Sequence, residues 1–160
     1  MLTLPPFPIP LVLLAIQYCV APLHGSTRTG AQPPPGATTD VRPVLEGITE
    51  DFQSGASSAG LSIAVDAPVE TAVACSSGAL ITMLSNLVSN AIKHGRRGGE
   101  VKIRIHDGSL VRFEVQDDGE GISPQDQQRL FRLYSRGRNE AAPGLGLGLA
   151  TMKRLVDSYG

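Results

Sequence analysis

Tryptophan is absent from the 160 residues, and three Tyr and four Phe make up the whole aromatic complement. A core of any size must therefore be filled by aliphatic side chains. A charge excess of either sign is also missing, with 14 Lys and Arg against 15 Asp and Glu. No global field draws the chain to nucleic acid or to an anionic membrane. The two cysteines, Cys19 and Cys75, lack metal-site spacing and are too few for a disulfide framework. That usage fits a reducing cytoplasm. A long apolar run is lacking as well. Ile9 to Val20 is apolar but short, and Pro10 interrupts it, whereas a membrane-spanning helix needs roughly 20 apolar residues. A signal peptide wants basic residues ahead of such a run, and there are none; Pro22 directly follows Ala21, the small residue that could end a cleavage site.

What is present divides near Asp40. Eight of the twelve prolines lie in residues 1–39, where Arg28 is the only Lys, Arg, Asp or Glu. Residues 1–39 read as a disordered leader, with a stiff linker at Ala31 to Gly36. Residues 40–160 are long enough for one domain with a real core. Asp40 can cap a helix with an apolar stripe of Val41, Val44, Leu45, Ile48 and Phe52, ended over Ser54 to Gly60. Leu61 to Val65 alternates as a strand, and Thr71 to Cys75 suggests a short second one. Leu80 to His94 has a helical pattern, broken by Gly95 to Gly99. Val101, Ile103 and Ile105 alternate with polar residues, Asp107-Gly108 marks a hairpin turn, and Val111, Phe113 and Val115 form the returning strand. A short helix over Pro124 to Phe131, a loop over Arg132 to Pro143, and a last helix with the stripe Leu145, Leu149, Met152 and Val156 complete the pattern. The elements describe a two-layer α/β domain.

Three segments carry chemistry. In the helix ending at His94, Asn86 and Asn90 are four residues apart, and Lys93 and His94 follow one turn later. Helical spacing places all four in one polar stripe. A neutral Asn oxygen suits Mg²⁺, which prefers oxygen ligands, and Lys93 can meet a phosphate as a point charge. The plainer alternative is a solvated face with two ordinary Asn. The second segment is Asp117-Asp118-Gly119-Glu120-Gly121. Residues 111, 113, 115 and 117 share one strand face, so Asp117 is predicted to point inward and Asp118 outward. An inward carboxylate needs a hydrogen-bond donor, and an adenine amino group would supply one. Gly119 and Gly121 allow a sharp turn beside a flat ring; a plain Asp-Gly turn is the alternative. The third segment places Gly144, Gly146 and Gly148 at alternate positions ahead of Leu149, where a helix begins. Free N–H groups there favour an anion, and bare glycine lets phosphate approach. A flexible loop explains the glycines but not the leucines between them. Arg129, Arg132, Arg136 and Arg138 lie between the second and third segments; Arg136 and Arg138, nearest the loop, are the candidates for phosphate.

Residues 40–160 resemble the ATP-binding catalytic domain of bacterial sensor histidine kinases, a branch of the Bergerat-fold ATPases. Asn86 to His94 is similar to that family's N box, and Asp117 to Gly121 to its first glycine box. Arg129 to Arg136 is similar to its F box, and Pro143 to Ala150 to its second glycine box. The resemblance implies an α+β fold, a two-layer sandwich of a mixed sheet with helices on one face. It implies ATP and Mg²⁺ bound under a short lid at Gly137 to Pro143. Asp117 would read adenine, Asn90 would be the principal metal ligand, and Asn86 would support it. Lys93, His94, Gly119, Gly121, Arg136, Arg138, Gly144, Gly146, Gly148 and Leu149 would complete the nucleotide site.

ATP-hydrolysing relatives usually carry Glu at the position of Asn86, where it activates water; Asn cannot serve as that base. The site is thus suited to holding ATP for transfer of the γ-phosphate to a His on a partner segment, in cis or in trans, with a response regulator downstream and no nucleic acid. No acceptor is visible in the sequence. His24 precedes Gly25 rather than an acid, His106 alternates onto the outer strand face, and His94 belongs to the nucleotide stripe. The family continues beyond the equivalent of Tyr159-Gly160 into two further strands, so the chain reads as a fragment with an open sheet edge. An anti-sigma-factor-type serine kinase and a non-catalytic nucleotide-binding module are the alternative functions.

Overall fold

The computed structural model of the chain describes residues 2–3, 13–18, 38–68, 70–106, 108, 111–121 and 154, the first two stretches as backbone. In chain order the elements are β1 (Leu2–Thr3), β2 (Leu13–Tyr18), β3 (Thr39–Asp40), α1 (Val41–Ala59), β4 (Ser62–Asp66), β5 (Ala72–Val73), α2 (Ser77–His94), β6 (Glu100–His106) and β7 (Val111–Gln116). The expected helices and loop beyond residue 121 lie outside the described residues, except that Arg154 is helical.

α1 begins where Asp40 accepts a hydrogen bond from the Arg42 N–H at 3.2 Å, as an N-cap does. Val41, Val44, Leu45, Ile48 and Ala56 form its buried stripe. The helix ends within the expected Ser54 to Gly60 stretch, at its last residue. It stops at Gly60, whose φ of 75° is left-handed. The Gly60 N–H bonds back to Ser57, and the Leu61 N–H bonds to the Ala56 carbonyl at 2.9 Å. These bonds satisfy carbonyls that the helix end would otherwise leave open. A Cβ at Gly60 would lie 2.8 Å from Arg97 Cγ. Gly60→Ala is therefore expected to lower stability by about 1–2 kcal/mol, the penalty for a left-handed L-residue, as read by urea denaturation.

The main sheet has the order β1-β2-β7-β6-β4. β4 runs parallel to β6, with Ile63 opposite Val101, and the other pairs are antiparallel, so the sheet is mixed. β6 and β7 form the expected hairpin, with Ile105 opposite Phe113; Asp107 of its turn lies outside the described residues. α1 and α2 cover one face. Val101, Ile103, Ile105, Val111, Phe113 and Val115 are buried beneath them. They meet Leu80, Met83, Leu84, Leu87 and Val88 of α2. Among the described residues Phe113 is the one buried aromatic, so this core is aliphatic, as the missing Trp required.

The opposite face is polar. Arg104 Nη1 lies 2.6 Å from Glu114 Oε1 and 2.7 Å from Gln116 Oε1. His106 Nε2 sits 3.3 Å from the other Glu114 oxygen. This network explains why Glu114 is buried on what the alternation marked as the outward face: both its oxygens are partnered, which offsets the cost of burial. His106 itself is exposed on that face.

Two stretches of the expected disordered leader are strands. Leu13 to Tyr18 pairs antiparallel with β7, Leu13 opposite Gln116 and Tyr18 opposite Val111. The edge of β7 presents a row of backbone donors and acceptors, and an apolar run free of proline over six residues can satisfy them.

Candidate functional site

α2 supplies one wall of the site. Ser76 caps it, accepting from the Ala79 N–H at 3.3 Å. The helix runs without a break to His94 and ends at Gly95, whose N–H bonds to the Ala91 carbonyl. Its buried stripe lies beside the polar one, so Asn86 and Asn90 are half-buried while Lys93 and His94 are exposed. The Asn86 amide nitrogen donates to the Thr82 carbonyl at 2.8 Å. A carbonyl can only accept, so the bond orients the side chain and leaves Oδ1 as an acceptor. No hydrogen bond engages the Asn90 side chain among the described residues. Two half-buried amide groups with acceptors available, one of them held in orientation, fit a hard cation and its waters.

The end of β7 supplies the second wall. Val111, Phe113, Val115 and Asp117 share the buried face, and Asp117 is 4 % exposed. Asp117 Oδ1 accepts the Gly119 N–H at 2.8 Å. Among the described residues Oδ2 has no partner. Burial pushes this carboxyl above its usual value, against the Gly119 bond and the nearby His94, which favour its charged form. Among the described residues the site therefore holds a buried acceptor with one donor still to be supplied. Partial burial and the neighbouring Lys93 hold the His94 imidazole below its usual value, opposed by Asp117.

Gly119 joins the two walls. A Cβ there would come within 2.2 Å of the His94 carbonyl oxygen and 2.7 Å of Asp117 Oδ1. The glycine is required by this close approach of β7's end to α2's end, while Gly121, at a φ of 77°, is required by backbone conformation. Asp118 departs from the sequence expectation. It does not simply face solvent: its Oδ1 accepts the Arg96 N–H at 3.1 Å. The signal for this was the hairpin register, which, continued two residues past Lys102 opposite Gln116, places residue 118 across from Glu100 at the start of β6, beside Gly99; only pairing makes it visible.

The structure thus brings His94, Asp117 and Gly119 together; Asn86, Asn90 and Lys93 share α2 with His94, and Gly121 follows two residues after Gly119. Arg136, Arg138, Gly144, Gly146, Gly148 and Leu149 lie outside the described residues. Among the described residues no helix is long and apolar enough to cross a membrane, and no cluster of three His, Cys, Asp or Glu could hold a metal.

Residues 75–160 match the family described as histidine kinase-, DNA gyrase B- and HSP90-like ATPases. The chain is 36% identical over 135 residues to the sensor-like histidine kinase SenX3 of Mycobacterium tuberculosis, covering 81% of this chain and 33% of SenX3. It is 39% identical over 114 residues to the sensor histidine kinase YcbM of Bacillus subtilis, covering 68% of this chain and 37% of YcbM. The chain spans about a third of the length of these curated relatives. Among solved structures, the mycobacterial sensor histidine kinase MprB superposes with a TM-score of 0.63 at 28% identity, covering 74% of this chain and 76% of that one. A full-length ShkA structure in complex with AMPPNP gives a TM-score of 0.64 at 28% identity, covering 74% of this chain and 25% of that one. With this fold, and with Asp117, Asn86 and Asn90 placed as described, the chain belongs to the histidine kinase-, DNA gyrase B- and HSP90-like ATPase family, in its sensor histidine kinase branch.

Proposed function

We propose that this chain binds ATP with Mg²⁺ and transfers the γ-phosphate to a histidine on a partner segment, in cis or in trans, for passage to a response regulator. The observation that carries the reading is the Asp117 carboxylate, buried at the end of β7 with one oxygen held by Gly119 and the other without a donor among the described residues. An adenine amino group placed on Oδ2 completes it. The phosphates then run toward the α2 stripe. Asn90 and the oriented Asn86 oxygen hold Mg²⁺, which neutralises phosphate charge when bound. Lys93 adds a positive charge at the exposed end of that stripe. Arg136 and Arg138, with Gly144, Gly146, Gly148 and Leu149, would contact the phosphates.

Asn86 decides between hydrolysis and transfer. Its oxygen has no useful basicity, so water at the γ-phosphate is not activated. The acceptor imidazole nitrogen instead attacks phosphorus as the bond to the bridging oxygen breaks and ADP leaves. Such a reaction depends on alignment and charge stabilisation rather than on protein nucleophiles. The AMPPNP complex of ShkA, a fold relative at 28% identity, supports nucleotide binding by this fold.

The test is incubation of the full chain with γ-labelled ATP, Mg²⁺ and a dimeric helical hairpin carrying a phosphoacceptor His. Acid-labile, base-stable label on the hairpin is expected. Acid-stable label on serine, or no label from a chain that binds ATP, overturns the transfer step. Asn90→Ala is expected to weaken Mg-ATP binding about tenfold, the order of one charge-assisted contact. Adenosine binding should stay unchanged, as read by parallel titrations.

A further inference from the structure

The loop after α2, residues 95–99, is bound on three sides. Gly98 donates its N–H to the Gly60 carbonyl at 2.7 Å, and the Ser62 N–H donates to the Gly99 carbonyl at 3.1 Å. These bonds tie the loop to the end of α1 and the start of β4. The Gly99 N–H closes the loop on the Arg96 carbonyl at 2.9 Å. On the third side stands the end of β7. Among the described residues the hydrogen bond there is a side-chain one, from the Arg96 N–H to Asp118 Oδ1. The same carboxylate lies across Gly99, where a Cβ would come within 1.8 Å of Asp118 Oδ2. The loop begins immediately after Lys93 and His94, and Asp118 immediately follows Asp117. The contact therefore sits where the two walls of the nucleotide site meet.

We propose that Asp118 is a positioning residue of this site. Its carboxylate fastens loop 95–99 to the end of β7 and so sets the last turn of α2, with Lys93 and His94, at a fixed distance from Asp117. The inference rests on the nucleotide-site reading above. Two features argue for a built contact rather than a chance one. Gly99 offers the bare Cα the carboxylate requires. The bond goes to a backbone N–H just beyond the helix end, which has no intrahelical partner. Gly119, seated against the His94 carbonyl, meets the same helix end from the neighbouring position but forms no hydrogen bond to it. Asp118 is half-buried, so it holds the loop from the side without filling the adenine position.

The experiment compares the full-length wild type with Asp118→Ala, Asp118→Ser and Asp118→Asn. Binding of a non-hydrolysable ATP analogue with Mg²⁺ is titrated at a temperature where melting curves show each chain folded. Ala and Ser cannot reach Arg96 and are expected to weaken binding about tenfold, whereas Asn keeps an acceptor at Oδ1 and is expected to bind within about twofold of wild type. Gly99→Ala, whose methyl would displace the carboxylate, is expected to match Asp118→Ala, and the double variant to add no further loss. A role confined to stability would move the melting curves and leave these affinities alone. Wild-type affinity in a folded Asp118→Ala or Asp118→Ser chain overturns the proposal, as does an Asp118→Asn chain as weak as Asp118→Ala. A folded wild type that does not bind the analogue overturns the nucleotide-site reading itself, and this inference with it.

Discussion

Asp117→Asn is expected to weaken ATP-analogue binding by about 100-fold, the order a charged hydrogen bond supplies. The geometry makes the loss sharper than a change of charge alone. Gly119 donates to Oδ1. An Asn that keeps this bond must place its NH₂ where Oδ2 stands, facing the adenine amine donor to donor. An Asn flipped the other way sets two donors together at Gly119. Either way one hydrogen bond is lost in a buried place. The fold should respond in the opposite direction. Burial raises the Asp117 carboxyl above the ordinary 3.8, so the folded chain binds this proton more tightly than the unfolded one. Through this group stability is full below 3.8 and falls as pH climbs toward the raised value, remaining reduced at neutral pH. Removing the charge relieves that cost. The melting temperature of Asp117→Asn without ligand should equal or exceed the wild type at pH 7, while the shift produced by the ATP analogue disappears. A variant that melts lower and still binds would show that the carboxylate serves the fold.

Gly119→Ala is expected to have the largest effect on stability, about 3 kcal/mol or more in urea denaturation, at the upper end of what overpacking costs. The new methyl would meet the His94 carbonyl oxygen and Asp117 Oδ1 together. Neither can yield independently: the first belongs to the helix backbone and the second is fixed by the bond to residue 119 itself. Relief requires β7's end to move away from α2's end, which opens the site. Ligand affinity should fall with stability in this variant, in contrast to Asp117→Asn, where the two separate.

Local chemistry made much of this legible. The Asp40 cap and the stripe from Val41 to Ile48 define α1 because both signals lie within one helical repeat of each other. The parity of Val111, Phe113, Val115 and Asp117 was enough to place a carboxylate indoors, because a strand leaves two choices of face and three apolar neighbours decide between them. The Asn86–His94 stripe is likewise a statement about one helix. What escaped depends on partners distant in sequence. Glu114 is buried on the polar face because Arg104 and His106 come beside it across the hairpin. Asp118 turns onto Arg96, which is 22 residues away. The pairing of Leu13 to Tyr18 with β7 depends on a free edge that no local pattern records. Asn86 is an intermediate case: its anchor, Thr82, is one turn back on the same helix, and i to i−4 spacing could have shown it.

The most direct measurement is a calorimetric titration of the full chain with a non-hydrolysable ATP analogue, with and without Mg²⁺, after a cooperative melting curve has shown that the chain is folded. The account predicts saturable binding at one site per chain, weakened but not abolished when Mg²⁺ is chelated, because Asp117 holds adenine independently of the metal. A cooperatively folded chain that takes up no analogue in either condition would contradict it.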